Sequence, residues 1–189
     1  MKKQRVKNLA LLNKPQGNGL ASNSQSHSAE KARAYAFLLL KFRLRSEAEL
    51  LARLKLKGFS EAVARDTVDF LRDKEFIDDR VFAKGWVASR LKKPFGVRRI
   101  KQELLVKGLD KQVIEDSLAE AKKDYSESQT VSQLAQKRFS RLKGIEPLKP
   151  QGNGLASNSQ SHKAKSRVYA YLLRRGFSPD IVSETIKQL

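Results

Sequence analysis

Few residues of this 189-residue chain have the types and spacing that covalent chemistry needs. Asp78 and Asp79, after Phe76-Ile77, are the one eye-catching carboxylate pair. As catalytic acids they would need burial in a cleft. At the start of a predicted helix they have a sufficient role as cap and dipole partner. The only histidines are His27 and His162, and there is no Cys. Zero Cys removes disulfides, thiolate metal sites and thiol nucleophiles together. No P-loop, HExxH, GxSxG or EF-hand pattern occurs. The expectation is therefore no catalytic residue, no metal ligand and no cofactor, in a protein that is not an enzyme. Trp86 can stack on a nucleobase, but its spacing of four from Phe82 suits a core position.

What remains is charge. Lys+Arg number 39 against 20 Asp+Glu, a formal net charge of +19. A surface this basic attracts polyanions. The surplus is +6 over residues 1–33, +1 over 34–78, +4 over 79–121 and +8 over 122–189. It gathers after successive helical stretches, at Arg43/Arg45, at Arg90/Lys92/Lys93 with Arg98/Arg99/Lys101, and at Arg138/Arg141/Lys143. Arg174/Arg175 form a further pair. Between residues 90 and 101 no acid intervenes. Recurring clusters on an elongated body would form a discontinuous stripe suited to a long anionic partner.

The elements that place these clusters are written in two repeats. Residues 14–27, KPQGNGLASNSQSH, recur letter for letter at 149–162. Fold-driven repeats keep core positions and let surface positions drift, so identity at every polar residue records sequence history. The composition cannot bury enough apolar area to order itself, and both copies read as flexible loops.

The second repeat centres on Gly58, Gly108 and Gly176. Eight and four residues before each glycine stand Leu50/Leu54, Ile100/Leu104 and Val168/Leu172, one apolar stripe of a helix. The glycine supplies a left-handed C-terminal cap, and Lys57, Lys107 or Arg175 before it complements the helix dipole. Ser60, Asp110 or Ser178 then opens the next helix as N-cap. A further helix precedes each hairpin, over 29–43 with Tyr35, Leu38, Leu39 and Phe42 on one face, over 79–92 with Phe82 and Trp86, and over 127–142 with Val131, Leu134, Ala135 and Phe139. Ser46-x-x-Glu49 and Ser126-x-x-Gln129 read as capping boxes.

The expected fold is all-α, three tandem three-helix modules in an elongated, curved arrangement, with the two flexible identical tracts. The expected organisation is a basic arm over 1–28, modules over 29–77 and 78–123, and a third over 124–189 interrupted by the tract at 149–162. The only early apolar run is Leu9–Leu12, too short for a secretory signal of about 7–15 apolar residues. No stretch approaches the ~18 apolar residues of a membrane span. A cytoplasmic protein with no membrane partner, monomeric, is the expectation.

The ordered set Ala34-Tyr35-Ala36-Phe37-Leu38-Leu39, Arg45-Ser46-Glu47-Ala48-Glu49-Leu50, Leu56-Lys57-Gly58-Phe59, Phe76-Ile77-Asp78-Asp79-x-x-Phe82-Ala83, Ser89-Arg90, Gly96, Ile100-x-x-Glu103-Leu104-x-x-Lys107-Gly108 and Leu172-Leu173-Arg174-Arg175-Gly176-Phe177 resembles the RecX family, regulators of the bacterial recombinase RecA. The resemblance runs from about residue 29 to 189, leaving out 149–162. It implies a non-enzymatic, all-helical modulator that binds the RecA–DNA filament. Such proteins restrain ATPase, strand-exchange and co-protease activities in recombination, DNA repair and the SOS response. The identical tracts depart from the family pattern. By charge and position, the filament or DNA contacts are expected at Arg43, Arg45, Arg90, Lys92, Lys93, Arg98, Arg99, Lys101, Arg138, Arg141, Lys143, Arg174 and Arg175. The alternatives are a stand-alone helical DNA- or RNA-binding protein, and an adaptor for an acidic protein.

Overall fold

The glycine-centred pattern folds the same way each time it occurs. In each case a helix ends on a glycine of positive φ, +97° at Gly58, +76° at Gly108 and +83° at Gly176. The N–H after the glycine bonds back to the carbonyl five residues earlier, Phe59 to Leu54, Leu109 to Leu104 and Phe177 to Leu172. The glycine N–H bonds three back, to Lys55, Leu105 and Leu173. This is the Schellman closure, with the paired apolar side chains adding their contact.

The structure is a computed structural model and describes residues 22–145 and 155–189, with side chains for 27–142 and 161–189. Among the described residues all regular structure is helical. The helices are α1 (Ser22–Phe42), α2 (Glu47–Leu56), α3 (Glu61–Asp73), α4 (Asp79–Leu91), α5 (Val97–Val106), α6 (Lys111–Lys122), α7 (Glu127–Ile145), α8 (Leu155–Arg174) and α9 (Pro179–Lys187). Packing groups them as α1–α3, α4–α6 and α7–α9, each around its own apolar cluster. Leu50 and Leu54, Ile100 and Leu104, and Val168 and Leu172 are buried, one stripe per cluster.

Caps set the helix starts. Ser46 Oγ accepts from the Glu49 N–H, Ser60 Oγ from Val63, Asp78 Oδ1 from Arg80 and Val81, and Ser126 Oγ from Gln129. The Glu49 carboxylate turns away from its capping box to three basic groups described below.

Two expectations need correction. The second half of each duplicated tract is helical, residues 22–27 opening α1 and 155–162 opening α8. Extension of a nucleated helix adds a hydrogen bond per residue, so a polar segment without Pro or Gly continues it. The remainder of both tracts lies outside the described residues. In α1 the buried face is Ala32 and Ala36, flanked by Tyr35 and Leu39, whereas Leu38 and Phe42 are exposed. Small alanines bring α1 close to its neighbours and turn those two large side chains outward.

The three groups are joined end to end through their middle helices. Ser46 Oγ, at the start of α2, donates to the Lys107 carbonyl at the end of α5 at 2.7 Å. The Glu47 N–H donates to Asp79 Oδ1 at 3.0 Å. At the next joint the Gly96 and Arg98 N–H groups, at the start of α5, donate to the Arg175 and Gly176 carbonyls after α8, at 2.9 and 3.2 Å. The Arg175 guanidinium also donates to the Pro94 carbonyl. A Cβ on Gly96 would overlap the Gly176 carbonyl, and one on Gly108 would overlap the Ala48 Cβ. Gly58, by contrast, has no atom within 4 Å of a Cβ position.

That contrast gives an expected ranking. Gly58→Ala should lose about 1–2 kcal/mol from its left-handed backbone alone. Gly108→Ala should lose distinctly more, because the new methyl also pushes the first joint apart. In the background of Ala48→Gly the excess should disappear, since the next atom, Ala48 Cα, lies 3.9 Å away. Urea unfolding midpoints of these variants check the order. Equal losses at Gly58 and Gly108 would contradict the joint.

Candidate polyanion interface

The joints carry basic side chains to the lines where one unit meets the next. Lys107, whose carbonyl anchors the first joint, lays its ammonium over Trp86 at 4.4 Å and lies 3.7 Å from Glu49 Oε1. Arg90 also stands over Trp86, 4.3 Å from the ring centroid. Arg90 also lies 5.8 Å from the Phe95 centroid, and Arg99 lies 4.2 Å from it. Arg175, whose carbonyl anchors the second joint, bridges Phe95 at 5.5 Å and Tyr171 at 4.9 Å. Arg138 stands 5.1 Å from Tyr171. Cations and rings thus alternate from Lys107 to Arg138, across two units and the joint between them. Each such contact is worth about 0.5–1 kcal/mol when exposed, more when desolvated.

Neutralisation along this ladder is uneven. At the α4–α5 end, Glu103 accepts from Trp86 Nε1 at 3.1 Å, Arg90 Nε at 2.6 Å and Arg99 Nε at 3.0 Å. Burial works against its charge, but the Arg99 and Arg90 hydrogen bonds outweigh it and hold the carboxyl below its ordinary range. At the α7–α8 end lies a groove of about 200 Å³ lined by Lys137, Arg138 and Arg141 of α7, Tyr171 of α8, Arg175 and Pro94. Among the described residues no carboxylate lines it.

The basic residues singled out by sequence divide accordingly. Arg43 and Arg45 both bind Glu49, which holds its low pKa first through the Arg43 hydrogen bonds. Arg90 and Arg99 share Glu103. Lys101 pairs with Glu115. The stretch 90–101, free of acids in sequence, is therefore partly neutralised from Glu103 and Glu115 in space. Lys92 and Lys93 are exposed between α4 and α5, and Arg98 is exposed in the first turn of α5. Arg138, Arg141 and Arg175 converge on the groove, Arg174 is exposed at the end of α8, and the Lys143 side chain is outside the described residues.

Sequence reading missed Lys137, Phe95 and Tyr171 and gave Lys107 a dipole role alone. A signal was present. An aromatic residue followed four positions later by Arg occurs at Trp86/Arg90, Phe95/Arg99 and Tyr171/Arg175. Asp78 and Asp79 are caps: Asp78 for α4, Asp79 for the start of α2 across the joint. Burial pushes the Asp79 carboxyl above its ordinary value, against the Glu47 N–H bond. Trp86 is half-buried, stacked on Phe82 with centroids 5.7 Å apart, and also part of the ladder. Among the described residues no group of three His, Cys, Asp or Glu converges to hold a metal, and no helix is long and apolar enough to cross a membrane.

Fold and surface together define an all-helical protein of three joined three-helix units with an arranged cationic strip. Models of the first, second and third three-helix domains of RecX match residues 32–71, 78–118 and 154–186. The chain is 33% identical over 161 residues to the regulatory protein RecX of Chlorobium phaeobacteroides (strain BS1), covering 85% of this chain and 94% of that one. It is 30% identical over 158 residues to that of Clostridium botulinum (strain Alaska E43 / Type E3), covering 84% and 68%. In fold it is similar to the crystal structure of RecX from Lactobacillus salivarius, with a TM-score of 0.67 at 23% identity over 87% of this chain and 97% of that one. The chain belongs to the RecX family.

Glu49 and Glu103 both have a lower pKa folded than unfolded, so their contribution is complete above the unfolded carboxylate range of about 4–4.5 and is lost as pH falls through the folded values. Stability should drop as pH falls below about 4, and Glu49→Gln should flatten part of that drop. Urea midpoints measured against pH read both. A Glu49→Gln profile parallel to the parent would remove Glu49 from the account.

Proposed function

We propose that this protein is a RecX-type regulator that binds the RecA–DNA filament and restrains its ATPase, strand-exchange and co-protease activities without catalysing a reaction itself. The observation that carries the reading is the cation–aromatic ladder running across two units and their joint. A repeating anionic partner matches a strip of this kind better than a small molecule does. Family membership supplies the recombinase as that partner. In this reading the arm over 1–28 and the modules over 29–77, 78–123 and 124–189 act as one monomeric body in the cytoplasm. Its contacts are the exposed members of the basic set, Lys92, Lys93, Arg98, Arg138, Arg141 and Arg174 among them. Arg43, Arg45, Arg90, Arg99 and Lys101 are already engaged with Glu49, Glu103 or Glu115, and hold the surface in shape.

Titration of the protein into RecA turning over ATP on single-stranded DNA tests the proposal. Inhibition at stoichiometric or lower levels is the expected result, and full ATPase activity at excess would refute it. Reversal of Lys92, Lys93 and Arg98 to Glu should weaken inhibition at least several-fold with helix content unchanged. Reversal of Arg90 or Arg99 should instead lower thermal stability, because Glu103 loses its partners.

A further inference from the structure

The groove between α7 and α8 is set apart from the rest of the ladder. Glu103 satisfies the guanidiniums at the other end, whereas Lys137, Arg138, Arg141 and Arg175 meet around a recess with no acid among its described lining residues. Four cations so close repel one another in the free protein. An anion placed among them removes that repulsion and gains charge-assisted hydrogen bonds from guanidinium edges. The Arg138 and Arg175 guanidiniums stand over the Tyr171 ring at 5.1 and 4.9 Å, and Arg175 gives one N–H to the Pro94 carbonyl.

We propose that this groove binds the phosphodiester backbone of a nucleic-acid single strand, as a composite site made only when the α7–α9 unit is docked on the α4–α6 unit. Volume argues for a single strand. A recess of about 200 Å³ admits a sugar-phosphate unit, and a flexible strand can be drawn into it. A duplex, with a persistence length of about 150 base pairs, stays on the raised surface. The contacts offered are cations for phosphate, which every nucleotide carries, so bases are not read and binding is independent of sequence. The composite character follows from Arg175. Its side chain lines the groove and donates to the Pro94 carbonyl, and its own carbonyl accepts the Gly96 N–H of the joint. Tyr171 is a positioning residue for the two arginines. The inference deepens the regulatory reading, since the groove lies on the strip assigned to the filament.

The test uses the full chain and a fluorescein-labelled oligothymidylate of eight nucleotides, with no recombinase present. Affinity is read by anisotropy across a salt series. The double variant Arg138→Ala/Arg141→Ala should bind at least tenfold more weakly, with a log–log salt slope shallower by about 1.4 for two phosphates released. Tyr171→Leu should weaken binding several-fold and Tyr171→Phe should leave it unchanged. Gly96→Ala opens the joint without altering groove charge and should weaken binding as much as Arg175→Ala does, with circular dichroism confirming that the helices persist. Lys84→Ala, which removes a cation paired with Glu120 off the ladder, should change nothing.

Unchanged affinity and slope in Arg138→Ala/Arg141→Ala would overturn the site. Full affinity in Gly96→Ala would overturn its composite nature. A duplex of the same length that binds as tightly, with the same residue dependence, would overturn the single-strand assignment. If the groove variants lose recombinase inhibition but keep oligonucleotide affinity, the groove contacts an acidic protein surface and the proposal fails. Groove-dependent oligonucleotide binding in a protein that never restrains RecA would leave this site standing and remove the regulatory reading alone.

Discussion

Everything in this molecule that lies between units depends on one helix end meeting another. The start of α2 meets the end of α5, and the start of α5 meets the end of α8. A helix start carries unsatisfied N–H groups and a partial positive charge; a helix end carries unsatisfied carbonyls and a partial negative one. Bringing them together pairs members of both sets and sets the positive end of one helix against the negative end of the next. The glycine closure makes this approach possible, because a left-handed turn without a Cβ leaves the last carbonyls open to a neighbour. The two joints reach the same geometry by different chemistry. Ser46 contributes its hydroxyl, donating across the joint while accepting from its own helix. Gly96 contributes its backbone N–H, since a side chain there would collide with Gly176.

The residue that supplies the carbonyl at each joint is also basic, Lys107 at the first and Arg175 at the second. Backbone and side chain of one residue therefore perform two tasks. The carbonyl fixes the angle at which the next unit sits, and the cation enters the ladder at the line of contact. Charge placement and unit docking are not separable here. A change that loosens a joint moves a cation, and a change that replaces the cation alters the helix end that the joint uses. The carboxylates Glu49 and Glu103 complete this arrangement by fixing the arginines that surround each line, whereas the groove at α7–α8 gathers four cations with no carboxylate among its described lining residues.

Much of the fold was legible in the chain because its signals are local. The apolar pair, the glycine and the following cap lie within about three turns of helix, and Leu50/Leu54, Ile100/Leu104 and Val168/Leu172 are buried where that spacing puts them. Misreadings fell where the deciding contact is distant. Glu103 is thirteen residues from Arg90, and only the packing of α4 on α5 brings them together. Lys107 reads as a helix-end cation until the first joint places Glu49 beside it. The polar half of the duplicated tract reads as loop by composition, yet a helix already nucleated on Ala164 and Val168 carries it along. Leu38 and Phe42 match an apolar stripe in sequence but face outward, because Ala32 and Ala36 make the closer contact.

The third middle helix differs from the other two at the place where they begin. Ser46 and Gly96 each stand twelve residues before their glycine and open their helix. At the same distance before Gly176 stands Ala164, buried inside α8, which continues back to Leu155. There is no helix start at that point to receive another Schellman end. At the other extreme, the Gly58 turn faces open space. The contact that strings the units together is thus made twice and ends at the third, whose middle helix runs through the position where the other two begin.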